Sequence, residues 1–154
     1  LSNKSQQKKV TAVMISTKGR YALRVMIDLA EHQTGEYIPL KAIAQRQGIS
    51  EKYLESILKA LVRENLLTGV RGKGGGYRLT RAPETYTVGE ILRLTEGSLA
   101  PVACLEDRAE SCCRMAECRT LPMWRKLDAL IQNFFDGITL ADLMGPSQGG
   151  DYMI

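Results

Sequence analysis

Gly48-Ile49-Ser50-Glu51-Lys52-Tyr53-Leu54-Glu55-Ser56-Ile57-Leu58-Lys59-Ala60-Leu61-Val62-Arg63-Glu64-Asn65, running on into Leu66-Leu67-Thr68-Gly69-Val70-Arg71-Gly72-Lys73-Gly74-Gly75-Gly76-Tyr77-Arg78-Leu79-Thr80, is the stretch on which the fold turns. Leu54, Ile57, Leu58, Leu61 and Val62 recur at spacings of 3, 1, 3 and 1, which gives a helix with one buried stripe. Ser50 is a suitable N-cap, so this helix is expected over Glu51 to Asn65. Its other face carries Lys52, Glu55, Ser56, Lys59 and Arg63, all able to make polar contacts. Before it, Leu40 to Gln47 reads as a short helix with Leu40, Ile43 and Ala44 on one face, closed by Gly48 as a left-handed cap. Two short helices about a tight glycine turn form a helix-turn-helix unit, although any small helical bundle shares that periodicity.

The residues that follow narrow the choice. Leu67 to Arg71 and Tyr77 to Thr80 read as two short strands around Gly72-Lys73-Gly74-Gly75-Gly76. The glycines permit positive φ and close backbone approach. A hairpin directly after the second helix makes a winged helix. Arg71 and Lys73 flank a tip with almost no side chains, narrow enough for a nucleic-acid groove. A phosphate-cradling nucleotide loop is the rival, but it requires GxxxxGK[ST] between a strand and a helix. Here Lys73 precedes the triple glycine and a strand follows.

Working outward, Thr17 to Gln33 has a broad apolar helical face built on Tyr21, Met26, Leu29 and Ala30 with Ala22, Val25 and Ile27, and Gly35 after it. Ile38 precedes Pro39 and is expected to be extended. Thr87 to Glu96 reads as a helix opened by a Thr87/Glu90 capping box and stopped by Gly97. Pro122 heads a long helix to about Gly137, in which Trp124, Leu127, Ile131, Phe134 and Ile138 are spaced 3, 4, 3 and 4. With Leu130 and Phe135 this face is wide enough to serve both its own domain and a second copy of the chain. The dimer interface is therefore expected at Trp124, Leu127, Ile131, Phe134 and Phe135. The organisation expected is an N-terminal extension over 1–13, with Met14 as the natural start, a winged helix-turn-helix domain over 14–81, and a connecting helix with a cysteine-rich loop over 82–120. A dimerisation helix region over 121–144 and a flexible tail over 145–154 complete it. The fold class is mainly α with a small β-hairpin.

The chain has 154 residues, 44% hydrophobic and 25% charged, ordinary globular values that exclude a disordered or collagen-like polymer. No apolar run reaches the ~18–20 residues of a membrane span, and residues 1–9 lack the apolar core of a secretory signal. A cytoplasmic location is expected, with no membrane partner. The net charge of +4 hides a split: residues 1–81 hold 15 Lys+Arg against 6 Asp+Glu, and residues 82–154 hold 6 against 11. A basic first half points to a polyanionic partner, with a merely solvated basic surface as the alternative. With one histidine, His32, at a helix end and no Ser/His/Asp arrangement, an enzyme is not expected. All four cysteines, Cys104, Cys112, Cys113 and Cys118, fall within 15 residues as Cys104-x7-Cys112-Cys113-x4-Cys118. Without a secretion signal this reads as a metal or redox site rather than a disulfide framework. Thiolates suit an iron–sulfur core, and the paired CxxC knuckles of structural zinc are missing, though zinc and a thiol or disulfide switch remain alternatives.

Several motifs, in order along the chain, carry a resemblance. They are Ser16-Thr17-Lys18-Gly19-Arg20-Tyr21-Ala22-Leu23-Arg24, Tyr53-Leu54-Glu55, Arg71-Gly72 with Gly74-Gly75-Gly76-Tyr77, and Ile138-Thr139-Leu140-Ala141-Asp142-Leu143. Over about residues 14–144 the chain resembles the Rrf-two family of bacterial transcription regulators, and its cysteine loop resembles the IscR-like, iron–sulfur branch. The resemblance implies a homodimeric winged-helix repressor or activator that reads a partly palindromic operator in double-stranded DNA. It implies DNA contacts from Ser50, Lys52, Tyr53, Glu55, Ser56 and Lys59 on the helix, and from Arg71, Gly72, Lys73, Gly74, Gly75, Gly76 and Tyr77 on the wing. Glu55 would accept from a cytosine amino group. Ser56 stands where the branch has a longer amide. Lys18, Arg20, Arg24, Lys41, Arg46 and Lys59 would supply salt-dependent affinity.

By the same resemblance Cys104, Cys112 and Cys118 would hold an iron–sulfur cluster, with Cys113 as the alternate, and [2Fe–2S] is favoured over [4Fe–4S]. The chain departs from the branch at the fourth ligand. Leu121 occupies the histidine position, and Arg20 and Arg24 occupy the carboxylate or histidine positions used elsewhere in the family, which leaves His32 at the end of the first helix, Cys113 or a small molecule as alternatives for the fourth ligand. The regulation implied is of iron–sulfur assembly genes. The alternative is a metal-free thiol sensor or a cysteine-metabolism repressor acting with a partner enzyme, with no cofactor.

Overall fold

The computed structural model describes residues 15–106 and 114–145. The expectations placed on residues 1–13, on Cys112 and Cys113, and on the tail after Gly145 lie outside the described residues.

Helix α1 (Thr17–Glu31) begins at Ser16, whose hydroxyl accepts the Gly19 N–H. Helix α2 (Leu40–Gln47) ends at Gly48 in the left-handed conformation, φ +64°, as its sequence requires. Helix α3 (Glu51–Arg63) is capped by Ser50, which accepts the Tyr53 N–H. It stops two residues earlier than its periodicity implies. Asn65 takes φ +60°, and the turn this makes carries Leu66 and Leu67 into the core. Burial of two leucines outweighs a further half-turn of helix.

Strands β1 (Leu67–Val70) and β2 (Gly76–Leu79) pair antiparallel, with Leu67 opposite Leu79 and Val70 opposite Gly76. Helices α4 (Val88–Glu96), α5 (Leu121–Asp136) and the short α6 (Leu140–Leu143) follow. The main core joins the inner stripes of α1, α2 and α3 to Leu67, Tyr86, Ile91 and Leu140.

Tyr86 is fully buried and ties the base of the hairpin. Its hydroxyl donates to the Leu66 carbonyl (2.7 Å) and accepts the N–H groups of Thr80 and Arg81 (3.0 Å each). One side chain thus holds the entry to β1 and the exit from β2.

The chain closes on itself just beyond. Val88 N–H donates to the Ile138 carbonyl and Leu140 N–H to the Tyr86 carbonyl, 2.9 Å each, with Thr87 facing Thr139 in an isolated bridge. The stretch from α4 to α5 therefore begins and ends at the same point, with Ile91 of α4 still in the main core. The expected Thr87/Glu90 capping box is half formed. Thr87 accepts the Glu90 N–H, but the Glu90 carboxylate pairs with Arg81 at 2.7 Å. The reciprocal box instead belongs to Thr139 and Asp142 at the head of α6.

Helix α5 divides its apolar residues between two directions. Ile131 and Phe135, with Ile138 just past the helix end, pack with Val88, Leu92 and Leu99 of the same chain. Met123, Leu127, Leu130 and Phe134 are exposed, Leu130 at 68%. The wide apolar face expected from sequence is divided into an inward and an outward seam. Of the five expected interface residues, Leu127 and Phe134 face outward, Trp124 is half-buried, and Ile131 and Phe135 turn inward. Arg93 of α4 fixes the packing, donating to Asp136 (2.7 and 2.8 Å) and to Gln132.

Candidate nucleic-acid interface and cysteine segment

Between α3 and the hairpin lies an open groove of about 550 Å³, lined by Glu55, Lys59 and Arg63 from the helix and by Val70, Arg71 and Tyr77 from the wing. Three cations and one carboxylate give it a net positive field, which suits a polyanion. Lys52 and Ser56 are exposed on the same helix. The Ser56 hydroxyl donates back to the Tyr53 carbonyl (2.6 Å), so its oxygen faces outward as an acceptor. Tyr53 is half-buried, its ring edge-on to Tyr21 at 5.9 Å. Ser50 is exposed, with its hydroxyl engaged as the helix cap. Glu55 and Lys59 form an ion pair at 3.2 Å.

The wing separates the glycines by role. Gly72 and Gly74, at φ +94° and +77°, make the exposed turn with Arg71 and Lys73 beside them, and a Cβ on either would meet open space. Gly75 closes the turn, donating to the Gly72 carbonyl at 3.0 Å. Gly76 is buried at φ +151°, where a Cβ would collide with the Ile38 carbonyl. Next to it, Tyr77 exchanges two backbone hydrogen bonds of 2.9 Å with Ile38. Gly76 therefore does not belong to the tip. It lets the extended Ile38 segment pair against β2, which sets the angle between wing and helix pair. Ile38-Pro39 reads as extended in sequence, but nothing there named its partner.

Two of the basic residues expected to hold phosphates are engaged elsewhere. Arg46 forks onto Asp28 of α1 at 2.7 and 3.0 Å, and Asp28 is 2% exposed and also accepts from Gln47 at 2.8 Å. Burial alone would raise the Asp28 carboxyl. The hydrogen bonds from Arg46 and Gln47 and the Arg46 charge outweigh it and hold the group below the usual carboxylate range. Arg24 donates to the Gln47 carbonyl (2.6 Å) and side chain (3.1 Å) and lies over the Tyr21 ring. These contacts lock α2 to α1 and fix the platform on which α3 stands. Sequence reasoning missed Asp28, although a carboxylate within Val25-Met26-Ile27-Asp28-Leu29-Ala30 was a signal for a buried partner. It also missed Tyr86.

In the cysteine segment, Cys104 sits in a single 3-10 turn (Ala103–Leu105), and it and Cys118 are half-buried free thiols. The Thr120 hydroxyl stands at the N-cap position of α5 but makes no cap bond there, and lies 3.4 Å from the Cys118 sulfur. Hydrogen bonds to the Thr120 side chain, then to the backbone of Thr120 and Leu121, hold the Cys118 thiol below its ordinary value. Such a thiol is a soft donor biased toward thiolate, the form that binds iron. Among the described residues no three His, Cys, Asp or Glu side chains gather into a metal site. Leu121 is buried and packs as a core residue. Arg20 donates to Thr17, and the His32 ring donates from Nδ1 to the carbonyl of Asp28 (2.8 Å).

The model of the Rrf2 family, described as an iron-dependent transcriptional regulator, matches residues 15–146. The chain belongs to the Rrf2 family. The HTH-type transcriptional regulator IscR of Aliivibrio salmonicida is 39% identical over 130 residues, 84% of this chain and 76% of that protein. Among solved structures, CymR, the global cysteine regulator of B. subtilis, superposes with a TM-score of 0.68 at 38% identity, covering 85% of this chain and 95% of the other. T. potens IscR superposes at 0.66 with 35% identity, covering 90% and 93%. This Rrf2 protein is a winged-helix, DNA-binding transcriptional regulator and not an enzyme. Among its described residues no helix is long and apolar enough to cross a membrane.

Proposed function

We propose that the protein is a homodimeric regulator that reads an operator with α3 in the major groove and the Arg71–Lys73 tip against phosphates or the minor groove. An iron–sulfur cluster in the Cys104–Cys118 segment governs that binding. The observation that carries the reading of DNA is the cationic groove between α3 and the wing, with an exposed tip whose side chains are only those of Arg71 and Lys73. A twofold pair of such heads spans successive major grooves about one helical turn apart. The outward seam of α5, Met123, Leu127, Leu130 and Phe134, is the apolar surface available for pairing two copies. The tip supplies charge without bulk, and α3 supplies the side chains that discriminate bases.

The donor set fits a cluster. Cys104 and Cys118 bracket the segment as free, half-buried thiols, and Cys112, with Cys113 as alternate, lies between them in sequence. A bound cluster would supply a redox-sensitive ligand whose gain or loss selects between conformers of the segment that leads into α5. The family's iron-dependent description and the similarity to IscR support an iron-holding site, while [2Fe–2S] over [4Fe–4S] and iron–sulfur assembly genes as targets are what the resemblance to the IscR-like branch implies. The second reading is a metal-free thiol or redox sensor, or a cysteine-metabolism repressor acting with a partner enzyme. The likeness to CymR, the global cysteine regulator, favours it.

The two readings separate in one experiment. Protein purified without oxygen and reconstituted with iron and sulfide gains visible absorption and bound iron, and Cys118→Ala does not. Absence of iron and colour from the parent protein overturns the cluster in favour of the thiol sensor. For the reading head, Arg71→Ala weakens operator binding and lowers the slope of log affinity against log salt by about 1, the loss of one phosphate contact. An unchanged slope and affinity rejects a DNA-contacting wing.

A further inference from the structure

We propose that Lys59 is a specificity-determining residue: its ion pair with Glu55 presents the carboxylate as a reader of a base amino group, and Lys59 itself is not a phosphate anchor. This rests on the reading of α3 as the helix that meets base edges.

The lining of the groove sets the problem. Glu55 is its one acid, beside Lys59, Arg63 and Arg71. A carboxylate brought against a duplex gains from the cytosine amino group but is repelled by the phosphates on either side. Lys59 answers this locally. It stands one turn further along α3, with Nζ 3.2 Å from Glu55 Oε1, and acid before base at this spacing is the favourable order on a helix. In the free protein the pair contributes little, because both groups are open to water, at 46% and 62% exposure. Between α3 and a duplex, water and counterions leave, and the same separation carries a stronger attraction. The approach is closest at Oε1, as an ion pair, and neither carboxylate oxygen accepts a hydrogen bond from another described residue. An ionised carboxylate held through one oxygen keeps acceptor capacity on the other. Lys59 thus does two things at once. It cancels the charge that phosphates would repel, and it restricts the rotation of the Glu55 side chain so that the remaining oxygen meets a limited set of base positions.

The alternative role for Lys59 gives an opposite signature. A lysine on phosphate adds affinity evenly across sequences and contributes about 1 to the salt slope. A lysine acting through Glu55 changes preference at one base pair per half-site and leaves the slope alone.

The test starts from the duplex sequence that the parent protein selects from a random library, with every single-base variant then measured at several salt concentrations. Glu55→Ala first locates the base pair that Glu55 reads. Lys59→Ala is expected to lose roughly tenfold of the discrimination at that base pair, the scale of one base contact. It should leave discrimination elsewhere and the salt slope unchanged. Lys59→Arg restores the preference, and Lys59→Ala added to Glu55→Ala does nothing more. Uniform weakening with a slope lowered by about 1, or an unaltered preference, overturns the proposal while leaving α3 as the reader. If Glu55→Ala shifts preference at no base, or the parent protein selects no sequence, the reading of α3 fails and this inference falls with it.

Discussion

Asp28 is a carboxylate set into the apolar stripe of α1, and it stays charged there because Arg46 and Gln47 of α2 supply donors. Taking away Arg46 leaves a buried charge with only the Gln47 amide and, 3.8 Å away, the His32 ring beside it. Arg46→Ala is therefore expected to destabilise the protein by about 3 kcal/mol, read as a lower urea midpoint with an unchanged m-value. Because the folded carboxyl lies below its unfolded value, its stabilising effect is complete above about pH 4 and fades as pH falls through the folded value. Urea titrations at neutral and acid pH check this, and Asp28→Asn removes that share of the pH dependence. The pair also shows where reading a sequence stops. The apolar stripe around Asp28 is plain, but its partner lies 18 residues away and looked like one more basic residue for phosphates. Tyr86 was silent for a related reason, since a tyrosine between two threonines has no period to betray its burial.

Among the elements, the helices and hairpin follow from local spacing and caps, and Ser50, Gly48 and the alternation around the wing place them to within a residue or two. What local spacing does not fix is which way each glycine or apolar residue is used. Gly72 and Gly76 look alike in sequence, yet their substitution should differ. Gly72→Ala meets only the strain of positive φ in open space, about 1 kcal/mol. Gly76→Ala adds a collision with the Ile38 carbonyl, which can move only by breaking the Ile38–Tyr77 pairing. A loss of about 3 kcal/mol is expected, together with operator affinity. Thermal unfolding of the two variants side by side tests the ordering, and equal effects would refute it. Helix α5 teaches the same lesson. Its apolar residues were visible, but α4 claims Ile131 and Phe135, and only the fold shows that Met123 and Leu130 complete the outward set.

For the molecule as a whole, that outward set is the basis of the proposed dimer. Leu130 is the most exposed of the large apolar residues, so Leu130→Glu should leave the circular dichroism spectrum and melting of the fold intact. Sedimentation should then report a monomer, with operator binding weakened by loss of the second reading head. A dimer that survives this change would place the interface elsewhere. The join between Tyr86–Val88 and Ile138–Leu140 was not legible in sequence, because it depends on backbone groups some fifty residues apart. Its effect is on what natural variation is free to do. With both stems pinned at the base, lengthening what hangs between them costs only about 0.6 kcal/mol for each doubling. Changes of length or composition between these two stems thus leave the core of α1, α2 and α3 undisturbed, and the reading head keeps its shape whatever the intervening loop becomes.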